Sequence, residues 1–181
     1  MSLALALLRG VNVGGNHVLR MDALRKIFEV AGAVGVANYL QSGNVVFDAL
    51  DPAAIAGYVE AAIARDFAFA ASILIRSAQE MRDVVANNPF AAVGVDENKL
   101  GVLFLRDAPS PQALARLDPA RSKPDEFFAR GKTIYLHLPN GFARTKLTNA
   151  WFDRGLATIS TARNWRVATH LSEMLAARAA Q

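Results

Sequence analysis

The sequence predicts an α+β protein made of two related halves, each an antiparallel sheet with packed helices, in a duplicated ferredoxin-like (split βαβ) architecture. Apolar runs and segments of helical period alternate as β-α-β-β-α-β over the first half. The order β-α-β-β then starts again at Leu100. The 181 residues, 52% of them apolar, suffice for one domain or for two small lobes that share a core.

Local signals predict the first elements in order. The apolar run at residues 3–8 predicts a buried strand, which leads into the glycine-rich loop 10–16. Apolar residues at helical spacing predict a helix over 21–31. Two further apolar runs, at 36–40 and 45–47, flank a polar turn and predict a hairpin.

Capping residues predict where the next two helices begin. Asp51 offers an N-cap and Pro52 the first helical position, and a strand at 69–75 follows that helix. Ser77 and Glu80 have the spacing of a capping box, which predicts the start of a third helix.

The second half is predicted in the same way, but with three strands. Strands are expected at 100–105, 126–129 and 133–138, with a short helix after Ser110 and longer helices at 149–156 and 166–177. We place the boundary in the loop that begins at Pro89. This divides the chain into an N-terminal lobe, residues 1–88, and a C-terminal basic lobe, residues 89–181, which together form one family unit.

The composition excludes several kinds of site. The chain has no Cys, which rules out disulfide frameworks, thiolate zinc sites, Fe–S clusters and a Cys nucleophile. Its three histidines lack the spacing of metal ligands, so we predict no metal and no cofactor. No segment has the pattern of a signal peptide or a membrane span, and we therefore expect no membrane partner.

The positive charge is concentrated in one part of the chain. Overall there are 20 Lys and Arg against 16 Asp and Glu, a net charge of +4. Residues 1–90 hold 7 basic against 8 acidic side chains, whereas residues 121–166 hold 9 against 3. An anionic partner is therefore expected to meet the C-terminal lobe.

The glycine-rich loop has the glycine spacing of a phosphate-binding loop, at Gly10 and Gly15. Asn16 and His17 stand where that motif requires Lys and Ser or Thr, so a nucleoside triphosphatase is not expected. Two interpretations stay open: a tight structural loop, or backbone amides that cradle an anion. Arg9, at the end of the first strand, could likewise grip an anion or form a salt bridge.

Three polar segments carry the other candidate ligand-binding residues. Residues 41–44 lack the pattern of a serine nucleophile elbow, so we interpret them as a hairpin turn whose side chains could orient a polar ligand. Segments 146–149 and 161–165 place a cation beside hydrogen-bonding side chains at expected helix starts. Trp165 could stack a planar ring, or it could be core, with Thr148 and Asn164 as ordinary caps.

Several of these segments together resemble a known family. Residues 8–16 read Leu-Arg-Gly-Val-Asn-Val-Gly-Gly-Asn, and residues 39–47 read Tyr-Leu-Gln-Ser-Gly-Asn-Val-Val-Phe. With shorter blocks at 21–24, 88–90, 146–149 and 161–165, they are similar to the bacterial family catalogued as domain of unknown function 1697. The resemblance implies a cytoplasmic α+β protein with a duplicated ferredoxin-like architecture, and no established substrate. Asp153 departs from the Glu expected in the family pattern.

We predict a protein that binds a small anionic or nucleotide-like ligand in a polar cleft between two lobes. No nucleophile–base pair is recognisable, so a binding protein with or without catalytic activity is expected. The predicted site residues are Arg9, Asn12, Gly14, Gly15, Gln41, Ser42, Asn44, Lys146, Thr148, Asn149, Arg163, Asn164 and Trp165. The alternatives are an RNA- or DNA-binding protein that uses the sheet aromatics Tyr39, Phe47 and Phe69, and a ligand-free scaffold or oligomer.

Overall fold

A computed structural model describes residues 1–12, 15 and 17–180 of the chain. The protein divides into two compact units, which we treat separately. The first unit comprises Met1–Met81 and Leu171–Gln181, and the second comprises Arg82–His170. The end of the chain thus belongs with its beginning, whereas the sequence alone suggested one boundary between residues 88 and 89.

The first unit has the predicted order β-α-β-β-α-β. Its elements are β1 (Ser2–Arg9), α1 (Met21–Val30), β2 (Val34–Tyr39), β3 (Asn44–Ala49), α2 (Pro52–Phe67) and β4 (Ser72–Ser77), and α3 (Ala78–Ala86) follows. The four strands form an antiparallel sheet in the order β2-β3-β1-β4.

Alternation along β1 places one set of side chains against the two helices of the first unit. Ala4, Ala6 and Leu8 are buried in a core that includes Phe28 of α1 and Ile63 of α2. The sequence pattern predicted both helices because their apolar residues recur at helical spacing.

The predicted caps are confirmed. The Asp51 carboxylate accepts hydrogen bonds from the backbone N–H groups of Ala53 and Ala54, both at 3.0 Å, and so begins α2. Ser77 and Glu80 form the reciprocal capping box at the start of α3. The Ser77 N–H donates to the Glu80 carboxylate at 2.7 Å, and the Glu80 N–H donates to the Ser77 hydroxyl at 3.1 Å.

The second unit contains a second four-stranded antiparallel sheet. Its elements are α4 (Pro89–Ala92), β5 (Leu100–Leu105), α5 (Pro111–Ala115), β6 (Glu126–Arg130), β7 (Thr133–His137), α6 (Asn149–Leu156) and β8 (Ser160–Asn164), and the chain continues into α7 (Trp165–Ala179). The strand order is β6-β7-β5-β8. Together these elements confirm the α+β fold with two antiparallel sheets.

Strand β8 is absent from the sequence prediction. Its five residues, Ser-Thr-Ala-Arg-Asn, contain neither an apolar run nor a β-branched cluster, so only pairing with the buried β5 reveals the strand. With β8, the second unit repeats the β-α-β-β-α-β order of the first, which is consistent with duplication.

A buried arginine occurs at the same place in both units. Arg76 and Arg163 are each the last residue but one of the final strand, and each donates to the carbonyl of the residue before it at 2.8 Å. The next residue caps the following helix: Ser77 accepts from the Glu80 N–H, and Asn164 accepts from the Val167 N–H at 2.8 Å. The two units therefore share a local motif, a buried arginine followed by a helix cap.

Candidate functional site

The glycine-rich loop of the first unit is closed by the side chain of Asn12. Its amide nitrogen donates to the carbonyls of Leu19, at 2.9 Å, and Gln41, at 2.8 Å, and its oxygen accepts from the Leu19 N–H at 2.8 Å. Asn12 also has a positive φ of 52°, which Asn tolerates better than most residues. Asn12 therefore links Leu19 and Gln41 to the beginning of the loop. Gly14 lies outside the described residues, and Gly15 is exposed.

The turn at residues 40–43 is a hairpin, as predicted, and it lies beside the glycine-rich loop. The buried Asn44 side chain donates to the Tyr39 carbonyl at 2.8 Å and to the Ser42 hydroxyl at 3.0 Å. Gly43 has φ +77°, and a Cβ atom there would lie 2.6 Å from the Cβ of Leu8. A glycine is required here because the turn packs directly against β1.

A hollow of about 310 Å³ adjoins this loop and turn, between Asn12, Gln41 and residues 18–22. Arg20 and Asp22 form an exposed ion pair at its edge, with a nitrogen–oxygen distance of 3.1 Å. The hydrogen bond from Arg20 holds the pKa of the Asp22 carboxyl below its usual value. Arg9 is half-buried at the end of β1 and is not among the residues that line the hollow.

In the second unit, the predicted polar side chains at the start of α6 serve the backbone. The Thr148 hydroxyl accepts from the Trp151 N–H at 3.3 Å and caps α6. The Asn149 amide donates to the Ser160 carbonyl at 3.0 Å and so ties α6 to β8. Lys146 is exposed just before this helix. Thr148 is therefore the N-cap of α6.

Arg163 lies apart from that group. It is 8% exposed, and it donates to the Thr161 hydroxyl at 2.9 Å. Between these two residues, Ala162 packs against the core that α5 and α6 cover, so the side chains of Thr161 and Arg163 occupy the opposite face of the sheet. Burial lowers the pKa of Arg163 to about 10. The structure therefore does not bring the Arg163 side chain to the start of α6.

The two tryptophans differ in exposure. Trp165 is 3% exposed and offers no open ring face to a ligand. Trp151, to which the sequence assigned no role, is half-buried on α6, and its ring packs edge-on against Phe127 and Phe152. The Arg121 guanidinium lies over the Trp151 ring, 5.3 Å from its centroid.

Arg121, which is exposed, contacts both the half-buried Trp151 and the backbone of Lys146. The Arg121 Nε donates to the Lys146 carbonyl at 3.4 Å, and the Lys146 N–H donates to the Ser122 hydroxyl at 2.9 Å. The Ser122 hydroxyl in turn donates to the buried Asp125 carboxylate at 2.7 Å. We call Arg121, Lys146 and Trp151 the Trp151 surface. Sequence reasoning missed it because residues 121 and 151 are far apart in the chain.

Within residues 1–12, 15 and 17–180, no three His, Cys, Asp or Glu side chains are grouped so that they could hold a metal ion. In the same ranges, no helix is both long and apolar enough to cross a membrane.

Comparison with known proteins agrees with this architecture. A family model described as "Protein of unknown function (DUF1697)" matches residues 1–135, which is most of the chain. The chain belongs to this family. The family resemblance of the sequence blocks is thereby confirmed, although the blocks at 146–149 and 161–165 lie beyond the matched residues.

A solved structure shows the same fold. A conserved bacterial protein from Streptococcus pneumoniae is similar with a TM-score of 0.74 and 23% sequence identity, over 96% of this chain and 98% of that chain. Identity at this level carries the fold but not the function. No curated protein matches the chain.

Proposed function

We propose that this DUF1697 protein binds a small anionic, nucleotide-like ligand at the Trp151 surface. The observation that carries the proposal is the Arg121 guanidinium held 5.3 Å above the Trp151 ring while its Nε donates to the Lys146 carbonyl. This arrangement keeps the Arg121 guanidinium on an aromatic ring and fixes it to the backbone of Lys146, whose side chain is exposed. A ligand with a phosphate group and a planar ring suits it, because the guanidinium attracts the phosphate and its plane can itself stack a base.

The distribution of charge supports this location. The second unit holds 13 Lys and Arg against 8 Asp and Glu, a net +5, whereas the first unit holds 7 against 8, a net −1. A net positive charge of this size favours the approach of anions to the second unit. We further propose that the protein works in the bacterial cytoplasm, as the family resemblance implies.

The alternative of nucleic-acid binding by sheet aromatics has less support. Phe47 is fully buried and packs on Phe28 with ring centroids 5.2 Å apart. Phe69 lies outside the sheet, because β4 begins at Ser72 and not at residue 69 as predicted, and its half-buried ring stacks on His17 at 4.7 Å. Aromatic rings that recognise RNA bases on a sheet need an open face, which these two rings do not offer.

Titrations with AMP, adenosine and inorganic phosphate test the proposal, with binding measured by calorimetry and by tryptophan fluorescence. We expect AMP to bind more tightly than either of its parts, and Arg121→Ala and Lys146→Ala each to weaken AMP binding at least tenfold. Arg25→Ala removes one exposed positive charge from the first unit and serves as the matched control. An Arg9→Ala variant tests whether the first unit also contributes.

The proposal fails if none of the three probes binds, or if Arg25→Ala weakens AMP binding as much as Arg121→Ala does. A single-stranded oligouridylate that binds more tightly than AMP, with affinity falling steeply as salt is raised, would favour the nucleic-acid alternative.

A further inference from the structure

One edge strand of each sheet is the first strand of a β-hairpin. This strand is β2 in the first unit and β6 in the second. An edge strand presents unpaired backbone groups to which another chain can add, and proteins commonly block such edges with bulges or side chains. The two edge strands differ in whether they are blocked.

Strand β2 is blocked within its own unit. Its pairing with β3 shifts register between Val34 and Ala37, and Gly35 within this bulge has φ +58°. The Arg178 guanidinium of α7 donates to the carbonyl of Gly35 and, at 3.2 Å, to that of Val34, and it also pairs with the Asp48 carboxylate. An incoming strand would have to displace this arginine.

Strand β6 has no such irregularity. Its five residues pair with five consecutive residues of β7 without a shift in register. The hydrogen bonds between β7 and β5 show which residues of β7 face which neighbouring strand. At the two ends of this pairing, the Leu105 N–H donates to the Lys132 carbonyl and the Leu138 N–H donates to the Lys99 carbonyl. Because antiparallel ladders alternate, the even-numbered residues of β7 bond to β5 and the odd-numbered ones bond to β6.

The backbone N–H and C=O groups of β6 alternate between β7 and the edge of the sheet. Glu126, Phe128 and Arg130 lie opposite the odd-numbered residues of β7 and exchange hydrogen bonds with them. The N–H and C=O groups of Phe127 and Ala129 consequently point away from the sheet, along the free edge.

The side chains of β6 divide between two faces. Phe127 and Ala129 pack against the helix-covered core. Glu126, Phe128 and Arg130 share the other face and are exposed, and 48% of the surface of Phe128 is accessible. One acid, one large apolar residue and one base thus follow each other along a single exposed face.

We propose that β6 pairs antiparallel with β6 of a second copy of this chain, about a two-fold axis at Phe128. Phe127 of each copy then lies opposite Ala129 of the other, and the outward N–H and C=O groups of both residues form four hydrogen bonds. Glu126 lies opposite Arg130 of the second copy, and the two Phe128 rings face each other. The two sheets become one sheet of eight strands.

Charge complementarity identifies a second copy as the occupant. A C2 interface places the same patch on both sides, so the sequence of the patch must complement its own reverse. Glu126-Phe-Phe-Ala-Arg130 does so, because reversal exchanges the acid and the base and leaves the central apolar residue in place. Charged side chains protect an edge strand when they repel the like charges of an incoming strand. One acid and one base in this order attract the reversed copy instead of repelling it.

Glu126 can pair with Arg130 of the second copy and still keep its contact with His137 of its own chain. One of its carboxylate oxygens lies 3.0 Å from His137 Nδ1 on β7, and the side chain is still 62% exposed. The other oxygen can therefore accept from Arg130 of the second copy. Because the paired strands are only five residues long, we expect a reversible dimer whose population rises with protein concentration.

Cysteine cross-linking tests the register, since the natural chain has no Cys to interfere. Diamide removes two protons and two electrons from a pair of thiols and so joins them as a disulfide. We expect diamide to convert Phe128→Cys to a dimer on a non-reducing gel, because directly opposed Cβ atoms in such a pair lie about 4.5–5.5 Å apart.

Two other variants provide matched controls. Glu126→Cys alone and Arg130→Cys alone are expected not to cross-link, because in each case the two introduced thiols are displaced from each other along the strands. A mixture of the two variants should cross-link. A disulfide dimer of Glu126→Cys alone, or none with Phe128→Cys, would overturn the proposed register.

Charge reversal tests the complementarity. In sedimentation velocity, Glu126→Arg and Arg130→Glu should each weaken dimerisation at least tenfold, and the double variant should restore it. Circular dichroism and thermal melting check that each variant folds. The proposal is overturned if the wild type stays a monomer at millimolar concentration, or if its dimer is insensitive to both single reversals. AMP binding at the Trp151 surface is a separate readout, so either proposal can fail alone.

Discussion

The two units share one order of elements, but Asn12 and Asn44 of the first unit differ from Arg121 and Lys146 of the second in how exposed they are. In the first unit, Asn12 and Asn44 direct their amides to nearby backbone carbonyls and hold the loop and turn in place. In the second unit, the exposed Arg121 lies over Trp151 and donates to the backbone carbonyl of Lys146, whose side chain is exposed. The contrast separates two kinds of polar residue. Those whose side chains hydrogen-bond to nearby backbone have a structural role, and those whose side chains are exposed are candidate ligand contacts.

The largest effect is expected where the first unit is packed most tightly. Gly43→Ala should destabilise the protein by about 2–5 kcal/mol, because a side chain is strained at φ +77° and its Cβ would overlap Leu8. Denaturant unfolding measures the change. Gly57→Ala is the matched control: Gly57 is exposed on α2 with no atom within 4 Å of an added Cβ, so alanine there should stabilise the helix by about 0.5–1 kcal/mol. Equal effects from the two substitutions would contradict this account of the turn.

Two substitutions, one in each unit, test the distinction between structural and exposed polar residues. Asn12→Ala should cost about 2–3 kcal/mol, since it removes the hydrogen bonds to Leu19 and Gln41 and leaves alanine at a positive φ. Lys146→Ala should change the free energy of unfolding by less than about 0.5 kcal/mol, because the hydrogen bonds of Lys146 to Ser122 and Arg121 use its backbone, which alanine retains. Similar costs for both would remove the distinction between structural and exposed polar residues.

A smaller effect than those of Gly43→Ala and Asn12→Ala is expected for a buried hydroxyl in the second unit. Tyr135 donates to the Val84 carbonyl at 3.1 Å, and burial raises the pKa of its hydroxyl above the ordinary value of 10.0. Tyr135→Phe should therefore cost about 1 kcal/mol at pH 8, as measured by urea unfolding.

The pH dependence of that cost provides a second measurement. Above pH 10 the unfolded tyrosine loses its proton while the folded one keeps it, so the unfolded state binds fewer protons and the stability of the wild type falls. The phenylalanine variant lacks this titration. The stability difference between the two proteins should consequently shrink between pH 9 and pH 11, and a constant difference would argue against a raised pKa.

Local signals predicted most of the fold. The Asp51 cap, the Ser77 and Glu80 capping box and the helix Asn149–Leu156 all appear where the sequence indicated them. These features depend on residues within a few positions of each other, and such interactions can be inferred without knowing the rest of the structure.

The candidate site could be predicted only in part. Lys146 was identified from its own segment, but Arg121 and Trp151 gain significance only because the fold brings them together. Gly155 lies within α6, where a glycine ordinarily weakens a helix. In the structure, a Cβ there would lie 2.7 Å from a methyl carbon of Leu117, so the glycine allows α6 to pack closely.

By itself, the sequence determined the α+β class, the helix caps, the hairpin and the concentration of positive charge after residue 120. The tertiary structure decided that Asn12 closes a loop, that Trp165 is interior while Trp151 is partly exposed, and that residues 160–164 form a strand. The physical reason is the range of the interactions. Caps and periodicity act between neighbours in the chain, whereas burial and strand pairing depend on partners that only folding brings into contact.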